Sequence, residues 1–199
     1  MSHPLRIVRK QWKLLTLVGI LAAALSVAVS MAFPLEYRAD AQVLIISKTR
    51  TGVDPYTTVK SAERVGENIA AVMQTTDFYD KVRSQAGYSI NWERFTNTTE
   101  RKRRKLWSKT IAPSVSYGTG VLNVSAYAPD KSEAAQIAGA ATRALVEQGW
   151  EYVGGDVAIK IINNPVVTRW PARPNLVVNA LVGFIIGVVL MGLGVIARK

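Results

Sequence analysis

The chain contains no cysteine and a single histidine, His3. A disulfide framework is excluded, and with it any cysteine-ligated zinc or iron–sulfur centre. One histidine cannot form a metal-binding cluster. Its place near the start leaves the rest of the chain without an imidazole base, which argues against nucleophile–histidine catalysis. Acids are scarce too: 14 Asp and Glu stand against 25 Lys and Arg, for a formal charge of +11. No two carboxylates form a motif-like pair. Glu63 and Glu67 are four apart but fall on the polar face expected of their helix, a spacing that ordinarily serves solvation. Neither a G-x-S-x-G elbow nor a G-x-x-x-x-G-K-[ST] phosphate loop occurs. The expectation is a non-enzymatic protein with no catalytic residue, no cofactor and no metal.

Charge is wholly missing from two long stretches. Residues 14–33 (LLTLVGILAAALSVAVSMAF) and 176–197 (LVVNALVGFIIGVVLMGLGVIA) carry none, and Asn179 is the one clearly polar side chain of the second. Twenty helical residues reach about 30 Å, the thickness of a bilayer's hydrocarbon core. Both runs are therefore expected to be transmembrane helices. Ala28-Val29-Ser30 resembles a signal-peptidase site, but the apolar core exceeds the ~7–15 residues of a secretory signal, which favours a retained anchor. Arg6, Arg9, Lys10 and Lys13 precede the first run with no acid among them, and Arg198-Lys199 follow the second. Positive flanks put both termini in the cytoplasm and residues 34–175 outside it, periplasmic or extracellular, on an inner-membrane protein. The intervening segment keeps a net charge of +5, which the run Arg101-Lys102-Arg103-Arg104-Lys105 accounts for by itself. The high pI thus reflects topology signals and one cluster, and nucleic acid is not an expected partner.

The segment between the runs is long enough for its own core. Residues 37–46 (YRADAQVLII) read as a strand, with Val43 to Ile46 buried. Asp54-Pro55 marks a helix start, and Val59, Ala62, Val65, Ile69 and Val72 follow as an apolar face, with Lys60, Glu63, Arg64 and Glu67 elsewhere. Residues 77–85 suggest a second helix closed by Gly87, and 99–109 a third that carries the basic run. A hairpin follows, 114–117 and 121–127 around Gly118-Thr119-Gly120. Asp130 and Glu133 are spaced as a capping pair for an Ala-rich helix over 131–152, which packs on the sheet or on a neighbouring subunit. Gly154-Gly155 ends it, and 157–162 return as a strand. The fold expected is an α+β extracytoplasmic domain, 34–164, with a proline-rich connector, 165–175, leading to the second span.

That connector, Pro165-Val-Val-Thr-Arg-Trp-Pro171-Ala-Arg-Pro174-Asn175, precedes a helix bearing Gly183 and Gly187. Together they resemble the proline-rich segment and second helix of the chain-length determinant family, the polysaccharide co-polymerases. Arg9-Lys10-Gln11-Trp12-Lys13 is similar to that family's juxtamembrane start, and residues 37–45 to the strand opening its external domain. Residues 114–125 resemble its central hairpin, and 130–144 its "A..iAN" helix, with Gly139 where Asn is common. About 140 residues leave little room for the long helical arm of the O-antigen regulators, so the likeness is to short capsule or exopolysaccharide members. The resemblance implies a homo-oligomer that regulates the length, polymerisation or export of a surface polysaccharide beside a membrane polymerase or exporter. Many relatives work with a cytoplasmic tyrosine kinase. None is expected to be fused here, and a separate one would have to use the N-terminal tail and the ends of the spans.

Several residues stand out for single roles. Pro165, Pro171 and Pro174 exclude helix and central strand, which makes the connector stiff. Trp12, Trp170 and Arg173 suit anchors at the lipid interface. Gly183-x-x-x-Gly187, and Ala22, Ser26 and Ser30 at four-residue spacing, offer close helix packing, between the two spans or between protomers. The run 101–105 is a solvated helix face or a contact for an anionic polymer or lipid headgroups. Trp92, Trp107 and Trp150 are buried or stack on sugars. A membrane-anchored sensor or adaptor binding an external ligand is the alternative function.

Overall fold

A computed structural model describes residues 11–47, 54–153 and 157–197. Arg6, Arg9, Lys10, Gly154, Gly155, Arg198 and Lys199 lie outside the described residues. In chain order the elements are α1 (Trp12–Met31), β1 (Tyr37–Ser47), α2 (Pro55–Val72), α3 (Thr76–Arg83), α4 (Glu93–Thr96), α5 (Glu100–Thr110), β2 (Ile111–Val115), β3 (Val121–Ala128), α6 (Lys131–Gln148), α7 (Trp150–Val153), β4 (Val157–Val167) and α8 (Leu176–Ala197). They form two compact units. One joins the two ends of the chain and holds α1 and α8; the other is Glu36–Trp170, an α+β domain.

In the domain, the strands form one antiparallel sheet in the order β2-β3-β1-β4. Strand β1 alternates: Ala39, Ala41, Val43 and Ile45 are buried, and the residues between them are not. The run Val43 to Ile46 is therefore not a buried block, as its composition implies. Leu44 is half-buried and Ile46 exposed, because a strand with one covered face buries every second residue. Strand β3 answers with Leu122, Val124, Ala126 and Ala128. On this face lies α6, whose small side chains Ala134, Ala138, Ala141 and Ala144 are all buried with Ile137 and Leu145. Its alanines are used within the domain. The helix starts where Asp130 accepts hydrogen bonds from the backbone N–H groups of Ser132 and Glu133. Glu133 pairs instead with Arg94, at 3.6 Å. The helix ends at Gln148, short of residue 152, and α7 follows one residue later; a Cβ on the intervening Gly149 would lie 2.3 Å from the Leu145 carbonyl and 2.6 Å from the Ile159 side chain, so only glycine fits.

Helix α2 is capped by Asp54, which accepts from the N–H of Thr57. Of the expected face Ala62 and Ile69 are buried and Val65 and Val72 half-buried, while Val59 is exposed; Gly66 and, just past the helix, Met73 are buried beside them. Gly66 lies close against the sheet: a Cβ there would lie 3.2 Å from the side chains of Ile45 and Val115. The helix carries Glu63 inward, where only 5% of it is exposed, which corrects its assignment to a solvated face.

Pro165 lies inside β4, not in a free connector. Asp40 pairs with Val166 and Gln42 with Asn163, so Asn164 and Pro165 together oppose Ala41 as a bulge. Because β4 is an edge strand, the missing N–H of proline costs no ladder bond. Pro113 sits in β2, the opposite edge. Both edges are thereby blunted against pairing with another sheet.

Candidate functional site

The two apolar helices pack along small residues. A Cβ on Gly183 would lie 2.6 Å from the Cβ of Ser26 and 2.9 Å from the Ala22 carbonyl oxygen. One on Gly187 would lie 2.6 Å from the Cβ of Ala22, and one on Gly19 would lie 2.7 Å from the Phe184 ring. The spacing noted in sequence thus joins the two spans to each other. Gly19 is the partner that sequence reasoning missed, since a lone glycine on an apolar helix carries no signal. Asn179 supplies a polar clasp at one end of the seam. Its Nδ2 donates to the Ser30 hydroxyl at 2.7 Å, Ser26 Oγ donates to the Asn179 carbonyl at 2.9 Å, and Ser30 Oγ donates to the Ser26 carbonyl at 2.8 Å. In hydrocarbon the side-chain amide and hydroxyls would otherwise lack a partner. Outside the seam the helices expose apolar side chains all round, Leu17, Leu21, Leu25, Leu181, Ile185 and Leu190 among them. A core helix of a water-soluble fold hides such residues.

In the domain, α5 lies over an aromatic nest assembled from α3, α4, α5 and the residue before α4. Tyr79 is its centre, edge-on to Trp92 and Trp107 with ring centroids 5.3 Å away in each case, and 5.5 Å from Phe95. Trp107 is fully buried, and its Nε1 donates to the Met73 carbonyl at 2.8 Å. Trp92 is half-buried and Trp150 exposed, so burial does not extend to all three tryptophans. Burial pushes the Tyr79 phenol above its ordinary pKa, and its hydroxyl has no hydrogen-bond partner among the described residues. With Trp107 turned inward, helical spacing turns Arg101, Lys102, Arg104 and Lys105 to solvent. Arg103 is half-buried, its guanidinium 5.7 Å from the Tyr79 ring centroid. None of the five cations makes an ion pair among the described residues. Nothing in sequence spacing announces the nest, because its members come from separate helices.

Of the other single residues, Trp12 and Trp170 are exposed, Arg169 stands over the Trp170 ring, and Pro171, Arg173 and Pro174 are half-buried. Among the described residues no group of three or more His, Asp and Glu could hold a metal. Glu63 accepts from Lys60 at 2.9 Å, and that hydrogen bond holds its carboxyl below the usual range.

These features define a class: an α+β domain flanked in sequence by two apolar helices, each long enough to cross a bilayer and packed on the other through glycine. Residues 3–86 match the family model of the chain length determinant protein, Wzz. The match takes in α1 through the end of α3 and covers less than half of the chain. No curated protein matches it.

Proposed function

We propose that this protein is a non-enzymatic inner-membrane regulator of the chain length, polymerisation or export of a surface polysaccharide. Polysaccharide chain-length determination is the role of the family matched over residues 3–86, and that match carries the reading. The two apolar helices are its anchors. In this reading both termini are cytoplasmic, as the positive flanks favour, and the α+β domain is periplasmic or extracellular. Several copies assemble and work beside a membrane polymerase or exporter, with a separate tyrosine kinase as a further partner. The stiff segment around Pro171 and Pro174 carries the arrangement of the domains to the spans, with Trp12, Trp170 and Arg173 at the lipid interface. The cations Arg101, Lys102, Arg103, Arg104 and Lys105 of α5 are the contact for acidic sugars or phosphate groups of the polymer. Deleting the gene tests the reading. The length distribution of the surface polysaccharide on a sizing gel should change, and an unaltered profile rejects the role.

A further inference from the structure

The sheet has a second face that the core does not use. Alternation places Arg38, Asp40 and Gln42 of β1 there, with Asn123, Ser125 and Tyr127 of β3 opposite them in register. None of these side chains is buried, whereas their neighbours on the helix-covered face all are. They are ordered nonetheless. Asn163 Nδ2 donates to Gln42 Oε1 at 2.5 Å, Gln42 Nε2 donates to Asn123 Oδ1 at 2.6 Å, and Asn123 Nδ2 donates to Ser116 Oγ at 3.1 Å. This row starts on β4 and crosses β1 and β3 to the residue that follows β2. A second row lies beside it: Arg38 Nε donates to Asp40 Oδ2 at 2.9 Å, and Ser125 Oγ donates to Asp40 Oδ1 at 2.6 Å.

We propose that this open face binds an uncharged, hydroxyl-rich segment of a glycan chain, through the amides of Gln42, Asn123 and Asn163 and the carboxylate of Asp40. The proposal rests on the reading above that the protein handles a polysaccharide. Four features of the face select such a ligand. Each side-chain amide offers two donor hydrogens and a carbonyl with two lone pairs, and the row uses only part of that capacity. The remaining groups are planar donor–acceptor sets of the kind that neighbouring sugar hydroxyls satisfy. The amides are held by one another, so little rotamer freedom is left to lose on binding. The charge is balanced, because Arg38 pairs with Asp40; an anionic polymer gains nothing here that it does not find better on α5. The amides stand one per strand, about 4.8 Å apart, close to the advance of a polysaccharide per sugar ring. Tyr127 adds a ring at the edge for stacking. A second protein copy is a poorer fit, since the centre of a protein–protein interface is depleted of charged groups.

The test uses the full chain in a detergent without a sugar headgroup, with four probes: cellohexaose, a mannohexaose, a galacturonate hexamer and inorganic pyrophosphate. Saturation-transfer NMR should detect at least one neutral hexasaccharide. Gln42→Ala with Asn123→Ala should weaken that binding at least tenfold. Asn163→Ala, at an exposed position of the edge strand, should weaken it several-fold at an unchanged melting temperature and keeps the test decisive if the double variant unfolds. Arg143→Gln, on an exposed face of α6, should leave it unchanged. The proposal is overturned if neither neutral probe binds, if only galacturonate or pyrophosphate binds, or if the variants bind as tightly as the parent. It is also overturned if the double variant keeps its fold but loses assembled mass, which makes the face a contact between copies. Failure here with a changed polysaccharide profile on gene deletion removes this site and leaves the proposed function standing. Binding with an unchanged profile does the reverse.

Discussion

Replacing Trp107 by Phe tests how α5 is held. The indole Nε1 is the donor to the Met73 carbonyl, which lies just past the end of α2 on a residue with no exposed surface. Removing the donor leaves that carbonyl buried and unpaired, at a cost of about 1–3 kcal/mol. The smaller ring also gives up about three buried heavy atoms, roughly 2 kcal/mol at about 0.8 kcal/mol per buried methylene-sized group. Part of the edge contact with Tyr79, worth about 0.5–1.5 kcal/mol when complete, survives in Phe. The total is about 3–5 kcal/mol. For a domain of this size each kcal/mol lowers the melting temperature by about 3–4 °C, so a loss on the order of 10 °C is expected. Trp150→Phe is the control: its ring is exposed and its Nε1 donates to the Glu147 carbonyl in an exposed position that water can satisfy, so less than about 1 kcal/mol should be lost. Near-UV circular dichroism during thermal unfolding of the detergent-solubilised chain reads both. Equal melting temperatures for the two variants would refute the view that the nest anchors the basic helix.

Gly183→Leu puts a side chain where a single Cβ already meets Ser26 at 2.6 Å, so the helices must separate at a cost of about 1–3 kcal/mol. Because the chain has no native cysteine, Ser30→Cys with Asn179→Cys should cross-link at monomer mass on oxidation; bands at dimer mass alone would contradict packing within one chain. Glu63→Gln tests the Lys60–Glu63 ion pair by pH. The folded carboxyl titrates below its unfolded value of about 4.3, so its stabilisation is complete above that value and fades as pH falls through the lowered one. The parent should therefore outlast the variant in urea at pH 7, with the gap closing below about pH 4; a gap that does not change with pH contradicts the pairing. Changing Arg101, Lys102, Arg104 and Lys105 to Ala should move stability by less than about 0.5 kcal/mol each, since they are exposed and unpaired, while retention on an acidic polysaccharide column falls. Unaltered retention removes α5 as the polymer contact.

The two apolar spans, the order of helices and strands, the Asp54 and Asp130 caps and the glycine hairpin were legible in the sequence. Each of these is set by neighbours a few residues away: uninterrupted hydropathy, a capping side chain, a residue free to take positive φ, as Gly118 does. Tertiary structure decided what depends on who packs against whom. On α2 the spacing of apolar residues marked Ala62 and Ile69 as buried, but packing also took Glu63 inside and left Val59 out. The bulge opposite Ala41 made room for Pro165 within a strand. The aromatic nest gathered Tyr79, Trp92, Phe95 and Trp107 from segments with no shared period, and the amide row joined Asn163 to Gln42 and Asn123 across strands far apart in the chain. A linear pattern records the preference of each segment for water or for a backbone shape. It does not record which face of one segment another will cover, because that follows from close packing of all of them at once.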